Sequence, residues 1–311
     1  MDVGHTLKLV LFIALGILSG TFIYWWVRSV RNLRASSQSP DDDGSPGAPT
    51  PSHLAIGFVT NFFDTLGIGS FATTTSAYKL LRLVRDEYIP GTMIVGHTLP
   101  VVAQAFIFMT VIRIDAVMLV SMIVAMVIGG WLGAGIVSGL PKHLIQIGMG
   151  TALLLAALSL LMSQFGLFPE GGVGLSLPVA RLLIALVMNF IFGALCTLGI
   201  GNYAPSLVLF CLLGLDPRAA FPVMMGSGAF TGLVAGVRFI NKNRIDRRAA
   251  LGLTIGGIPA VLLAAFAVKS LSLDVMRWLV MAVIVYTAVT MLRSASANRA
   301  RTKLELVEEK V

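Results

Sequence analysis

Two short motifs concentrate polar residues in an otherwise apolar chain. Leu66-Gly67-Ile68-Gly69 leads into Ser70-Phe71-Ala72-Thr73-Thr74-Thr75-Ser76, and Leu198-Gly199-Ile200-Gly201 leads into Asn202-Tyr203-Ala204-Pro205-Ser206. Paired glycines break a helix, and each restarted helix begins with a residue suited to capping, Ser70 or Asn202. The first turn of a restarted helix carries free N–H groups and a partial positive charge, so it favours an anion. Neutral hydroxyl and amide donors suit an oxyanion that must be released again, since a fixed Lys or Arg would hold it more tightly. The candidate binding residues are therefore Gly67, Gly69, Ser70, Thr73 and Thr74 at the first break, and Gly199, Gly201, Asn202, Tyr203 and Ser206 at the second. Asn61 and Asn189, matched amides just before the breaks, join them. Each has a structural reading beside the binding one, because Ser and Thr in membrane helices bond their own i−4 carbonyls and Gly permits close helix packing.

Two titratable residues lie deep in the same stretches. Asp64 stands three residues before Gly67, where an ionised carboxylate costs about 2.5–3.5 kcal/mol at mid-bilayer. His97 sits about 10 Å into its helix within Gly96-His97-Thr98-Leu99-Pro100. Either could carry a coupling proton, or tie helices together by hydrogen bonds. Gln104, Thr197, Ser227 and Cys196 are weaker polar candidates, for which packing is the simpler reading. An enzyme would need paired catalytic carboxylates, a His-rich metal set or a Cys pair. The histidines His5, His53, His97 and His143 are scattered in depth, and Cys196 and Cys211 have no ligand cluster nearby. The reading is no catalysis, no metal, no cofactor and no ATP-binding motif.

The elements that position these residues are membrane helices. The chain has 311 residues, 56% hydrophobic and 12% charged, against about 25% charged in soluble domains. Nearly uncharged stretches of about 20 residues recur, the length that crosses roughly 30 Å of hydrocarbon as helix. The net charge of +8 falls at the ends of apolar spans rather than on one polar face, which points to membrane topology and not to nucleic acid.

The two motifs belong to a longer repeat. At the offset of 132 that relates them, Ala72 matches Ala204, Pro90 matches Pro222 and Gly96 matches Gly228. Each repeat opens with an apolar stretch, 54–84 or 180–214, that is too long for one comfortable crossing and breaks at its glycines. Such a stretch forms either a hairpin that enters and leaves on one side or a single broken crossing, and the distribution of Lys and Arg favours hairpins. Three full spans follow in each repeat, at 90–110, 115–138 and 143–163, then at 219–240, 248–270 and 273–293. An odd number of crossings inverts one repeat relative to the other. The expected fold is an all-α polytopic membrane protein of two inverted repeats, each a broken-helix hairpin plus three transmembrane helices, preceded by one N-terminal anchor helix. Its divisions are an anchor at 1–27, a disordered cytoplasmic linker at 28–52, repeat one at 53–163, an external loop at 164–178, repeat two at 179–293 and a cytoplasmic tail at 294–311.

The paired motifs, from Asn61-Phe62 through Thr75 and from Leu198 through Pro205, resemble the TauE/SafE sulfite exporter family. So does Pro90-Gly91-Thr92 followed by Val95-Gly96-His97-Thr98-Leu99-Pro100. The likeness covers residues 53–293 and leaves the anchor and linker outside it. In this chain the first motif reads Ser-Phe-Ala-Thr where the second keeps Pro205. The resemblance implies a secondary transporter that exports sulfite or small organosulfonates across the cell inner membrane by alternating access. A passive anion channel and a carrier of a different small anion are the alternatives. The partners are then a small sulfur-containing anion and the lipid bilayer, with the N-terminus outside and the C-terminus cytoplasmic. Gly129, Gly130, Gly133 and Gly135 offer a small-residue face for close packing, within one protomer or in a homodimer.

Overall fold

The computed structural model describes residues 3–35, 48–66, 69–112, 114–167, 174–199 and 201–267, with isolated positions between 285 and 296. The helices among them are α1 (Val3–Ala35), α2 (Pro51–Thr65), α3 (Ser70–Leu80), α4 (Ile89–Val111), α5 (Ala116–Val137), α6 (Lys142–Gln164), α7 (Val179–Cys196), α8 (Tyr203–Leu212), α9 (Pro217–Asn241) and α10 (Arg247–Ala267). No strand occurs among the described residues; one isolated bridge joins Gly174 to Leu215. Six of these helices are long and apolar enough to cross a membrane. The chain is thus an all-α, multi-pass membrane protein. The expected span 273–293 and tail 294–311 lie outside the described residues apart from the isolated positions, as do Gly67, Ile68, Arg113 and Ile200.

The first division differs from its expectation. The anchor does not end at residue 27: α1 continues through Arg28, Arg31 and Arg34 to Ala35, because arginine favours helix and no Gly or Pro intervenes. Nor is α1 a loose tether. Leu15 and Phe22 are fully buried, Phe12 stacks on Phe106 of α4 at 5.4 Å, and Lys8 Nζ donates to the Met109 carbonyl at 3.5 Å. At the linker's other end Thr50 caps α2, its hydroxyl accepting from the His53 amide.

The helices on either side of each glycine motif pair as the arms of a hairpin. α2 and α3, at 15 and 11 residues, extend about 22 and 16 Å, so neither crosses 30 Å of hydrocarbon alone. The His53 ring, near the start of α2, meets Tyr78 near the end of α3 edge-on at 6.4 Å, so the arms run back alongside each other. The second hairpin closes the same way, with Arg181 near the start of α7 donating to the Leu213 carbonyl after α8 at 2.9 Å. Its arms are unequal. α7 has 18 residues and is itself long enough to count as a span, whereas α8 has 10.

The hairpins open toward opposite ends of the bundle. Tyr78 Oη donates to the Ala249 carbonyl at the start of α10, and α4 then leaves that end, bringing Met93 against Thr75 and His97 against Thr74. α5 returns from the far end, where the Asp115 amide donates to the Leu175 carbonyl beside the entrance to α7. Lys79, Arg82, Arg85, Lys142, Arg238, Lys242, Arg244, Arg247 and Arg248 all belong to the first end. There Lys79 pairs with Asp86 at 2.6 Å, and Gln146 of α6 donates to the same carboxylate. Lys8, Arg181 and Arg218 belong to the opposite end.

Lipid tails give helices no hydrophobic drive to associate, so close approach through small residues substitutes for it. A Cβ on Gly129 of α5 would meet the Phe190 carbonyl of α7, and one on Gly133 would lie 2.8 Å from the Ala194 Cα. Gly130 faces Thr231 and Gly135 faces Arg238, both of α9. The glycine face of α5 is therefore used inside the chain, against α7 and α9. Gly57 does the same for the other hairpin, its missing Cβ leaving room for the Gly252 carbonyl of α10.

Candidate functional site

The tips of the two hairpins meet. Between them lies a cavity of about 50 Å³ lined by Asp64, Gly69, Ser70 and Phe71 from the first break, and by Cys196, Gly201, Asn202 and Tyr203 from the second. α4 contributes Ile94, His97, Thr98 and Val101, α5 contributes Met126, and α9 contributes Met224, Met225, Gly228, Thr231 and Gly232. A Cβ on Gly201 would lie 3.6 Å from that of Phe71, so the two motifs touch across the cavity. The space exceeds the roughly 10–15 Å³ that a single water needs. No Lys or Arg lines it among the described residues.

The first tip is organised by Asp64. Gly69 precedes α3 with φ 78° and ψ 127° and makes no side-chain cap, a backbone conformation for which glycine is needed. Ser70 is therefore the first helical residue and not the cap, contrary to the sequence expectation. Asp64 takes the capping role: its Oδ1 accepts from the Ser70 amide at 2.7 Å, and its Oδ2 accepts from Gln104 Nε2 at 3.0 Å. The same Nε2 lies 2.9 Å from Thr65 Oγ1, while Gln104 Oε1 is buried with no partner.

His97 holds α4 to both arms of this hairpin. Its Nδ1 lies 3.0 Å from Asn61 Oδ1, and its Nε2 lies 3.0 Å from Thr74 Oγ1. Asn61 Nδ2 donates to the Gly57 carbonyl at 2.7 Å, which leaves Oδ1 to accept from His97. The network therefore assigns the ring proton to Nδ1, with Thr74 donating to Nε2. Phe71 stacks on the His97 ring at 5.7 Å.

The second tip is built differently. At the repeat offset of 132, Asp64 corresponds to Cys196 and Ser70 to Asn202. A thiol, that of Cys196, thus stands at the second tip where the first has a carboxyl, and both line the cavity. Asn202 Nδ2 donates to the Met224 carbonyl at 3.2 Å. Tyr203, which lines the cavity, meets Phe221 edge-on at 5.8 Å, and Phe221 stacks on Phe108 at 5.3 Å. Thr231, Ser227 and Ser206 have buried hydroxyls without a partner among the described residues, and of these Thr231 lines the cavity.

Of the sequence candidates, the fold gathers Gly69, Ser70, Gly201, Asn202, Tyr203, Asp64 and His97 around the cavity, with Cys196 from the weaker set. Asn61 and Thr74 stand behind His97. Thr73 bonds back to the Gly69 and Ser70 carbonyls. Asn189 donates to the Met122 carbonyl of α5 at 3.2 Å. Gly199, with φ 91°, packs against Met93 and Met149, and Ser206 is one turn into α8. Gly67 lies outside the described residues. The lining from α9 and the anchoring role of Gln104 have no motif of their own; the matched offset was the signal that could have exposed the Asp64–Cys196 pair.

No curated protein and no solved structure matches the chain. The model of the family described as Sulfite exporter TauE/SafE matches residues 181–309, the stretch that carries the second hairpin, and this supports the chain's place in that family, to which its two glycine motifs also point.

Proposed function

We propose that the chain is a secondary transporter that exports sulfite, or a sulfonate of similar size, across the cytoplasmic membrane. The cavity between the hairpin tips holds the anion. The observation that carries the reading is the composition of that cavity, where two restarted helices converge and the polar lining is hydroxyl, amide, thiol, imidazole and one carboxyl, without a fixed cation. Helix N-termini attract an oxyanion, and neutral donors release it again. The family match to sulfite exporters supports the substrate class.

Alternating access follows from the hairpins. Each half contributes one tip to the site, and the tips enter from opposite ends, so rocking one half against the other exposes the same cavity to either side. The two halves are read as inverted repeats on this ground. The end that collects the basic residues is assigned to the cytoplasm by the positive-inside rule, which puts the start of α1 outside.

The test is counterflow and net flux of sulfite, sulfate, sulfoacetate and taurine with the purified full chain in liposomes, at two pH values. Saturable sulfite flux, with accumulation against its own gradient during counterflow, is the expected result. Flux that never accumulates would make the protein a channel, and absence of saturable flux for all four anions would overturn the substrate class.

A further inference from the structure

The two hairpin tips are related in sequence but not in charge. Asp64 accepts from the Ser70 amide that opens α3, and the matched position at the second tip, six residues before Asn202, is Cys196. A carboxylate at a helix N-terminus is itself an anion in an anion seat. The first seat is thus filled by the chain, and the second, backed by a neutral thiol, is open to a ligand.

Gln104 makes the first seat two-state. Its Nε2 donates to Asp64 Oδ2, the arrangement a carboxylate requires, and its Oε1 is buried without a partner. Half a turn of the amide would present that oxygen to the O–H of a protonated Asp64, so one residue can satisfy either form. An ionised Asp64 and a bound oxyanion would face each other across a cavity of about 50 Å³. Like charges that close, with no cation lining the space, disfavour each other strongly.

We propose that Asp64 is a tethered anion that competes with the transported one, that Gln104 turns its amide as Asp64 gains or loses a proton, and that the substrate is therefore carried together with a proton. This rests on the functional reading above. The proton enters from the water on the side to which the cavity is open, resides on Asp64 while the anion is bound, and leaves with it on the other side. For a singly charged anion the cycle moves no net charge. The other titratable groups lining the cavity are His97 from α4, Cys196 from α7 and Tyr203 from α8; α3, α5 and α9 contribute none among the described residues. His97 has both ring nitrogens engaged.

The experiment compares the full-length wild type with Asp64→Asn in liposomes, measuring sulfite KM between about pH 5 and pH 8. The titration of sulfite itself is common to both proteins and cancels in the comparison. Wild type should show a KM that falls up to about tenfold more per unit of acidification than that of Asp64→Asn, the slope of one proton bound with the anion. The variant should also bind sulfite more tightly than wild type at the alkaline end. In a second readout, a pH dye trapped in the vesicles should report one more proton moving per sulfite in wild type than in Asp64→Asn, because the proton that bisulfite itself carries is common to both. Equal slopes, or equal proton movement per sulfite in the two proteins, would overturn the inference and leave the sulfite transporter standing. Absence of sulfite flux in wild type would remove both.

Discussion

Replacing Gly69 with alanine isolates the geometry of the first break. Among the described residues nothing lies within 4 Å of the position a Cβ would take, so the substitution adds no clash with them. Its effect must come from the backbone, which stands at φ 78° and ψ 127°. L-residues are held in such regions at a cost of order 1–3 kcal/mol, and a strained tip can relieve that cost only by turning the Ser70 amide away from Asp64. The functional arrangement should lose population by about 5- to 150-fold relative to the relaxed one. The assay is sulfite counterflow by the purified full chain, with thermal unfolding in detergent alongside. Gly69→Ala should lose most of its transport while inserting normally and unfolding at a temperature only a little lowered. Gly201→Ala is the internal comparison, because its Cβ would sit at an ordinary 3.6 Å from Phe71 and no positive φ is involved; it should raise KM by less than Gly69→Ala lowers flux. Wild-type KM, maximal rate and unfolding temperature in Gly69→Ala would refute the claim that this backbone conformation sets up the site.

Other substitutions separate roles that the site combines. Thr231→Val removes a buried hydroxyl that bonds nothing among the described residues; unfolding temperature should hold or rise, while sulfite KM rises about 2- to 13-fold, the value of one neutral hydrogen bond to the ligand. An unchanged KM would remove Thr231 from the binding surface. His97→Gln breaks the tie between Asn61 and Thr74 and should cost about 1–3 kcal/mol of stability, yet keep the pH slope of sulfite KM. Loss of that slope would move the proton from Asp64 to His97. Gly193→Ala drives a methyl into the Met126 carbonyl and to 2.9 Å from the Gly130 amide. Both are backbone atoms that cannot turn aside, so detergent unfolding should show a loss of about 1–3 kcal/mol or more, and an unaltered unfolding temperature would mean that α5 and α7 do not pack as described.

What the sequence made legible, and what it hid, follows from the range over which each feature acts. The breaks were readable because glycine pairs interrupting a long apolar run are a local signal, and so was the length of each full span. The end of α1 was misplaced because the change from apolar to arginine-rich sequence marks the edge of the membrane, whereas the helix itself stops only where its backbone loses support. Ser70 was misread as a cap because capping preference is statistical; with Gly69 turned to positive φ, the acceptor for its amide comes from six residues upstream across the break, a spacing that no helix period suggests. The floor that α9 supplies through Met224, Gly228 and Thr231 is apolar or small in type, and only tertiary packing makes it part of the site.

The repeat itself both guided and misled. Matching Leu-Gly-Ile-Gly at both tips invites the expectation of two equivalent anion seats, as symmetry would require. A carrier built that way would hold two like charges within one small cavity, or waste one seat. Carrying the offset two residues further back exposes the difference, since Asp64 matches Cys196 in sequence and both line the cavity. On the proposed reading, the similar fold of the tips would let each reach the midplane from its own side, and the unequal charge at that one pair of positions would let a single anion be bound there. Backbone symmetry would thus serve the motion, and side-chain asymmetry the chemistry. Cys196→Asp, which restores the symmetry, should keep the fold and abolish sulfite binding.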